Sequence, residues 1–276
     1  MPATILQQHH LTTLKDFLRK EVTSNLFGLA RLELGGIQAR VDSEWWGLFD
    51  SDNRLNAACY AGAKGPDGSF GIVVPTGDPQ ACQTLGLSIA IRGGARWSVG
   101  ERNATDSLWA GMGNLTPSIH SDQYLYELTT PTHGESLPLR FATEDDQPWV
   151  IHAATEMMKE DFGLDDFLDD EASFHQEIQA GIRAQHELIG ESNGHPVFRI
   201  KISSQCSDGV QLGGTWVDPA WRGKGVGQAG MRATCKHLLL HTPRITLHVR
   251  ERNMAAIGCY RATGFHAVQA FRLLSR

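Results

Sequence analysis

The segment Trp216-Val-Asp-Pro-Ala-Trp-Arg-Gly-Lys-Gly-Val-Gly-Gln-Ala-Gly230 joins a short apolar strand, a proline and a glycine-rich turn that opens an amphipathic helix. Its backbone can adopt positive φ and approach a ligand closely at Gly223, Gly225 and Gly227. The N–H groups of such a turn and of the following helix converge on one point, where they bind phosphate. Arg222 and Lys224 add positive charge in a chain of net charge -6. The segment therefore predicts a binding site for a phosphorylated cofactor.

Two other interpretations of this turn are open. Gly225-Val-Gly-Gln-Ala-Gly230 matches the dinucleotide fingerprint G-x-G-x-x-G, and Glu251 follows the next predicted strand. Only 25 residues come after Glu251, which are too few to complete a doubly wound sheet. The other interpretation is a helix start that binds nothing. Because glycine destabilises helices, three glycines beside Arg222 and Lys224 favour a ligand site.

The residues around the turn extend the pattern into a family resemblance. Arg222-Gly-Lys-Gly-Val-Gly227 resembles the R/Q-x-x-G-x-G/A acetyl-CoA signature of the GNAT N-acetyltransferases, and Val217-Asp-Pro219 resembles the strand end that precedes it there. The family's N-x-x-A-x-x-x-Y-x-x-x-G-F segment corresponds to residues 253–265. The resemblance covers residues 138–276. The whole chain is similar to a two-domain group with a degenerate, GNAT-like N-terminal half.

The resemblance implies a fold and a reaction. The fold is α+β, with tandem GNAT-like domains that each contain a mixed, mostly antiparallel sheet flanked by helices. The reaction is acetyl transfer from acetyl-CoA directly to a primary amine of a small molecule, peptide or protein. The alternative is a non-catalytic acyl-CoA-binding regulator. Strands at 210–218 and 244–250 would splay apart and hold pantetheine between them.

The resemblance also implies roles for single residues in binding acetyl-CoA. Backbone groups of Trp216 and Val217 would hold the pantetheine amides and polarise the thioester carbonyl. Asn253 would contact the pantetheine arm. The turn would hold the pyrophosphate through the run Arg222, Gly223, Lys224, Gly225, Val226 and Gly227.

Tyr260 is the expected general acid, giving a proton to the departing thiolate. The competing interpretation is a core tyrosine on an amphipathic helix. The general base is open, because Gln211 lies where many family members have glutamate. His248 has a suitable intrinsic pKa, although it is also typical of a structural strand histidine. Asp208, Glu251 and a water chain are further candidates.

Composition limits the remaining function classes. A net charge of -6 argues against a nucleic-acid-binding protein. The start of the chain lacks the pattern of a signal peptide, and no apolar run is long enough to span a membrane. Five scattered cysteines predict reduced thiols and a cytoplasmic protein. The absence of an HExxH motif or a Cys/His cluster predicts no metal site.

The Pro-, Gly- and Ser-rich segment 131–138 predicts a linker between a domain at 1–130 and one at 139–276. Both parts share an order of helix, hairpin, apolar strand ending in proline, helix and strand, with Pro75 corresponding to Pro219. This order predicts a duplicated fold, two unrelated domains being the alternative.

The first domain has Asp78 where the second has its glycine turn, and a carboxylate there repels phosphate. We expect the first domain to have lost CoA binding and to shape the acceptor site or a homodimer interface.

Local patterns predict the remaining elements. Residues 5–34 are predicted as helical, residues 45–62 as a hairpin, and residues 79–92 as a helix with Asp78 as N-cap, followed by short strands up to residue 130. Gly190-Glu-Ser-Asn-Gly194 matches the hydrolase elbow G-x-S-x-G, but a strand follows it, which favours a hairpin turn.

An acidic segment is the last feature with a functional interpretation. In the GNAT family the loop between the first two helices borders the acceptor site, so the resemblance implies that the carboxylates of this segment would attract a cationic amine. The alternative is a solvated surface loop. The seven residues are Glu160, Asp161, Asp165, Asp166, Asp169, Asp170 and Glu171.

Overall fold

The computed structural model describes residues 2–37, 43–162 and 171–276. The N-terminal half contains β1 (Thr4–Ile5), α1 (Leu11–Leu18), α2 (Leu26–Gly35), β2 (Glu44–Phe49), β3 (Leu55–Ala61), β4 (Phe70–Gly77), α3 (Pro79–Ile91), β5 (Ala95–Glu101), α4 (Arg102–Gly111) and β6 (Ile119–Leu128). The C-terminal half contains β7 (Leu139–Phe141), α5 (Gln147–Phe162), α6 (Glu171–Arg183), β8 (Glu187–Ser192), β9 (His195–Cys206), β10 (Gly209–Val217), α7 (Val226–Leu238), β11 (Ile245–Arg250), α8 (Met254–Ala262) and β12 (His266–Ser275). The order of strands and helices is the same in both halves, as a duplicated fold requires.

The described strands form one sheet in the order β1-β2-β3-β4-β5-β12-β6-β11-β10-β9-β8-β7. The two halves exchange their last strands. β6 pairs with β11 of the C-terminal half, from Leu128 opposite Ile245 to Gln123 opposite Arg250. β12 in turn pairs with β5 of the N-terminal half. Each half therefore has its sheet completed by the other, and the predicted linker at 131–138 divides the chain without dividing the sheet.

The sheet is mixed and mostly antiparallel, as predicted. The β4–β5 and β10–β11 pairs are parallel, whereas the other pairs of neighbouring described strands are antiparallel. Pairing between β10 and β11 covers only residues 210–212 and 245–247. Beyond these residues the two strands diverge, and β10 has an irregularity between Gly213 and Trp216. This divergence creates the gap in which the site lies.

Helices cover both faces of the C-terminal sheet. Leu188 of β8 packs into a core shared with α7 and α8, whereas the next residue, Ile189, packs against α5 and α6. Neighbouring residues of a strand face opposite sides of a sheet, so the two helix pairs lie on opposite faces. In the N-terminal half, α3 and α4 share one core and α1 and α2 another.

Three local predictions need correction. Residues 5–34 are not helical throughout: they contain α1 and α2, with one 3-10 turn at residues 8–10 before α1 and another at residues 19–21 between the two helices. The region of predicted short strands contains α4, whose N-cap Glu101 accepts a hydrogen bond from the Ala104 N–H at 2.8 Å. Its buried face follows a helical spacing, but only two large apolar residues, Leu108 and Trp109, mark that face in the sequence. Strand β4 runs on past Pro75 to Gly77, because its pairing with β5 ends at Val73 and the proline removes no hydrogen bond to that neighbour.

Other local predictions are confirmed. Asp78 caps α3 by accepting from the Ala81 N–H at 2.9 Å, with Pro79 at the first helical position. The motif at 190–194 is a hairpin turn, in which Asn193 and Gly194 have positive φ. No helix in the part of the chain that the structure describes is long and apolar enough to cross a membrane.

Candidate functional site

The gap between β10 and β11 opens into a cleft of about 760 Å³. Its walls come from the diverging ends of the two strands, the start of α7 and one face of α8. Gln123 of the exchanged strand β6 also lines it. The cleft therefore lies where strand divergence exposes backbone edges beside the start of a helix, which is where a ligand can be bound like an added strand.

The glycine turn adopts the backbone conformation that its sequence predicts. Gly223 has φ 72° and Gly225 has φ 78°. Gly225 is the N-cap of α7 and no side chain caps this helix, so its first N–H groups remain available to a ligand. A Cβ atom added at Gly223 or Gly225 would meet no heavy atom within 4 Å, so space remains beside the turn. These features fit a pyrophosphate group.

The two basic residues of the turn differ in placement. Arg222 lines the cleft, donates from Nε to the Val217 carbonyl at 2.9 Å and pairs with Glu160 at 2.7 Å. Lys224 is not among the residues that line the cleft. Its Nζ donates to the Ala220 carbonyl at 2.9 Å and lies 5.6 Å from the centre of the Trp221 ring. Arg222 is thus held at the cleft, whereas Lys224 is turned toward its own segment.

The remaining predicted cofactor residues line the cleft: Trp216, Val217, Val226, Gly227 and Asn253. Trp216 is buried, and its ring packs edge-on against Trp149 and His152 of α5. Asn253 caps α8, its Oδ1 accepting from the Ala256 N–H at 3.0 Å. The fold thus brings these residues together around one cavity.

Tyr260 is buried at the cleft wall and forms a side-chain hydrogen bond with Thr215 of β10. Burial raises the pKa of its phenol to about 12, although the bond to Thr215 lowers it. The phenol therefore stays protonated at neutral pH. A protonated hydroxyl held between β10 and α8 can act as a proton donor to a group in the gap.

His248 also lines the cleft, but its surroundings weaken it as a base. Its ring lies 4.5 Å from the ring of Phe271, and burial lowers its pKa to about 4. Such a histidine is neutral at pH 7 and has little affinity for a proton. Sequence reasoning assigned it only the intrinsic value, because the packing of Phe271 on it comes from the distant strand β12.

The other two candidate bases, Asp208 and Glu251, lie apart from the cleft walls, as does Gln211, which cannot itself act as a base. Gln211 is paired within β9–β10–β11, and Asp208 forms a salt bridge with Arg19 at 3.1 Å. Glu251 pairs with Arg102 of the N-terminal half. None of the three is among the residues that line the cleft. The part of the chain that the structure describes also contains no cluster of three or more metal-ligating side chains.

Asp161 is a carboxylate of the cleft that the sequence indicated only as part of the acidic segment. It lines the wall together with Glu160, near the end of α5. Burial raises the pKa of Asp161, and the Arg250 charge opposes that rise. Of the other predicted acidic residues, Asp165, Asp166, Asp169 and Asp170 lie outside the described residues.

In the N-terminal half, the two helices that correspond to α7 and α8 are in close contact. A Cβ atom added at Gly86 of α3 would lie 2.1 Å from the Leu108 carbonyl oxygen of α4, and one at Gly111 would lie 2.1 Å from the Gln83 carbonyl oxygen. The two helices therefore touch through their backbones. In α8, by contrast, a Cβ atom at Gly258 would meet nothing within 4 Å, because that glycine faces the cleft.

This difference predicts opposite effects of one substitution in two mid-helix positions. Gly86→Ala should lower the free energy of unfolding by about 1–3 kcal/mol, because the methyl group forces α3 and α4 apart. Gly258→Ala should raise it by about 0.5–1 kcal/mol through helix propensity. Urea denaturation of both variants measures the difference. Equal effects would contradict the close contact of α3 and α4.

Residues 138–265 match the family model described as the acetyltransferase (GNAT) family. No curated protein matches the sequence. Among solved structures, an acetyltransferase of the GNAT family from Colwellia psychrerythraea is similar over 100% of both chains, with 14% identity and a TM-score of 0.56.

Two further structures cover nearly the whole chain. A GCN5-related N-acetyltransferase from Sphaerobacter thermophilus has 15% identity and a TM-score of 0.59 over 99% of this chain and 94% of that one. A tandem GNAT protein from the clavulanic acid biosynthesis pathway has 12% identity and a TM-score of 0.55 over 99% and 97%. At these identities the likeness is one of fold.

Proposed function

Residues 138–265 form a GNAT acetyltransferase domain, and from that premise we propose that the chain transfers an acetyl group from acetyl-CoA directly to a primary amine. The observation that carries the proposal is the composition of the cleft. One end has an uncapped helix start with two glycines at positive φ, and α8 carries a protonated phenol, Tyr260, at the wall of the gap between the strands. Pyrophosphate binding and proton donation to a thiolate are the chemistry that these groups provide.

In the proposed mechanism, the N–H groups at the start of α7 and Arg222 hold the pyrophosphate. Backbone groups of Trp216 and Val217 hold the pantetheine arm in the gap and polarise the thioester carbonyl. The amine nitrogen attacks the carbonyl carbon, and the C–S bond then breaks. Tyr260 donates its proton to the sulfur that leaves. No covalent enzyme intermediate is formed.

The acceptor amine must also lose a proton, and the groups of the cleft that could remove it are weak bases. His248, with a pKa of about 4, is neutral through the physiological range and gains no proton there. We propose that the proton passes to solvent through the cleft mouth, near Asp161. The reactive form is then the neutral amine, whose fraction is set by the pKa of the acceptor.

This proposal predicts a pH profile. Between pH 6 and the pKa of the amine, kcat/KM should rise about tenfold per unit, because each unit increases the neutral amine fraction tenfold. Steady-state rates with two amines of different pKa check the prediction, since the plateau should follow the amine. If the kcat/KM profiles of both amines instead share a rise centred near pH 6.5, and His248→Gln removes that rise, His248 is the base.

The experiment that tests the function itself is release of CoA thiol from acetyl-CoA over a panel of amines, with binding of acetyl-CoA measured by calorimetry. We expect thiol release that depends on the amine. The weak bases of the cleft favour a second candidate, an acyl-CoA-binding regulator. That candidate gains support if acetyl-CoA binds and no amine increases thiol release.

A further inference from the structure

An arginine and a glutamate form a buried ion pair inside the C-terminal half. Glu187 of β8 is 0% exposed and Arg199 of β9 is 3% exposed. The Nη2 of Arg199 donates to the Oε1 of Glu187 at 2.8 Å. Neither residue is among those that line the cleft. The cost of removing two charges from water can exceed their attraction, so stability alone is a weak reason for an ion pair in this place.

Arg199 also reaches the strand that lines the cleft. Its Nη1 donates to the Gly214 carbonyl of β10 at 3.2 Å. A Cβ atom added at Gly214 would lie 2.9 Å from this nitrogen, so the guanidinium packs directly on the backbone of the glycine. An arginine often pairs with a carboxylate through two parallel hydrogen bonds. Here the Glu187 Oε2 and the Arg199 Nε have no hydrogen-bond partner among the described residues, and one amino group of the arginine is directed to β10 instead.

The carbonyl that Arg199 holds belongs to the irregular part of β10. Gly213 lies opposite Lys201 and Trp216 lies opposite Arg199, so β10 has one residue more than β9 between these two pairs. Gly214 has φ 61°, a conformation that favours glycine and occurs in β-bulges. A bulge bends its strand, and this one follows directly on the residues of β10 that pair with β11. Arg199 therefore holds β10 at the point where the gap opens.

The residue after Gly214 connects this carbonyl to the proposed acid. Thr215 forms a side-chain hydrogen bond with Tyr260. The Gly214 carbonyl and the Thr215 N–H belong to one planar peptide group, so a contact that fixes the carbonyl also fixes the direction in which the chain enters Thr215. The result is a continuous series of contacts through Glu187, Arg199, Gly214, Thr215 and Tyr260.

We propose that Arg199 and Glu187 are positioning residues for acetyl transfer, which fix the bulge of β10 and thereby hold the Tyr260 hydroxyl beside the leaving sulfur. The proposal rests on the function proposed above and adds two residues that act on the reaction without contacting the substrate. Arg199 sets the direction of the Gly214 carbonyl, and Glu187 sets the direction of the guanidinium. A displacement of about 1 Å at a reacting group can lower a rate about 100-fold, so a small shift of the bulge is enough to slow the reaction.

A double variant, Glu187→Leu with Arg199→Met, separates position from stability. It removes both charges and the hydrogen bond to the Gly214 carbonyl, while the side chains keep a similar volume. We expect its free energy of unfolding to equal or exceed that of the unmodified chain, because apolar residues often replace a buried ion pair without loss. We expect its kcat, from single-turnover experiments, to fall at least about tenfold.

The single variant Glu187→Gln should have the opposite result. It leaves the Arg199 charge buried without a carboxylate, which lowers the free energy of unfolding. Its amide oxygen can still accept from Arg199, and the bond to the Gly214 carbonyl remains, so kcat should stay within about threefold of the unmodified chain. The matched control for the double variant is Glu144→Leu with Arg183→Met, which removes an ion pair of the same half whose side chains are 64% and 62% exposed. It should leave kcat unchanged.

Combination with Tyr260→Phe tests whether the effect passes through the acid. Residues that act as a unit are non-additive, so the double variant should lower kcat by less than about threefold in a chain that already carries Tyr260→Phe. A loss of tenfold or more in that chain would contradict the series of contacts. An unchanged kcat of the double variant in the normal chain, or a double variant that fails to fold, would also overturn the proposal.

Fluorine NMR separates this inference from the proposed function. The chain has four tyrosines, so labelling with 3-fluorotyrosine gives four sites to observe, and Tyr260→Phe identifies the resonance of Tyr260. In the unliganded protein this resonance should shift in the double variant and keep its position in Glu187→Gln. The measurement needs no acceptor, so it decides the inference even if no amine is acetylated and the proposed function fails. An identical Tyr260 resonance in the double variant and the unmodified chain would overturn the inference by itself.

Discussion

Replacing Tyr260 by phenylalanine is expected to lower kcat by about 100-fold or more while the Kd of acetyl-CoA stays nearly unchanged. The substitution removes one hydroxyl from a side chain that is otherwise part of the core. Burial raises the pKa of that hydroxyl to about 12, so it carries its proton at neutral pH. From α8 it reaches Thr215 of β10, the strand that lines the gap.

The matched control for this variant is Tyr126→Phe. Tyr126 is 1% exposed, and among the described residues its hydroxyl has no hydrogen-bond partner. It does not line the cleft. The same chemical change there should leave kcat within a factor of about two, because a buried hydroxyl without a partner contributes little. If Tyr260→Phe and Tyr126→Phe have equal kcat in single-turnover experiments, which remove product release from the measurement, Tyr260 is not the acid.

The turn and its flanking elements could be predicted because their signals are local. Positive φ at Gly223 and Gly225, the start of α7 and the hairpin at 193–194 each depend on residues close in sequence. The repeated order of elements could be read for the same reason. Helix α4 was missed because it is short and only two large apolar residues, Leu108 and Trp109, mark its buried face.

The exchange of β6 and β12 could not be predicted from local patterns. The partner of each strand is set by contacts between residues more than 100 positions apart in the chain. The environment of the site follows from the same exchange. Phe271 of β12 packs on His248, and Gln123 of β6 reaches the cleft. A sequence gives the intrinsic pKa of a histidine but not the ring that buries it.

Gly225→Asp is expected to abolish acetyl-CoA binding, lowering affinity by at least about 100-fold. A new carboxylate at the uncapped start of α7 would stand where the pyrophosphate is held. Two like charges about 4 Å apart cost on the order of 4 kcal/mol near a protein surface. The side chain would also fill the open space beside the turn. Asp78 shows the same arrangement in the N-terminal half, where its carboxylate occupies the start of α3.

Gly225→Asn separates charge from shape. Asn and Asp have the same size, and both tolerate the positive φ of 78° at this position. We expect Asn to weaken binding far less than Asp, with the difference in affinity shrinking as salt increases.

Calorimetry of the unmodified chain should give one acetyl-CoA per chain, because α3 and α4, the counterparts of α7 and α8, are in backbone contact at Gly86 and Gly111. Two sites per chain would show that the N-terminal half also binds acetyl-CoA, and one site that survives Gly225→Asp would show that the ligand binds elsewhere than at the start of α7.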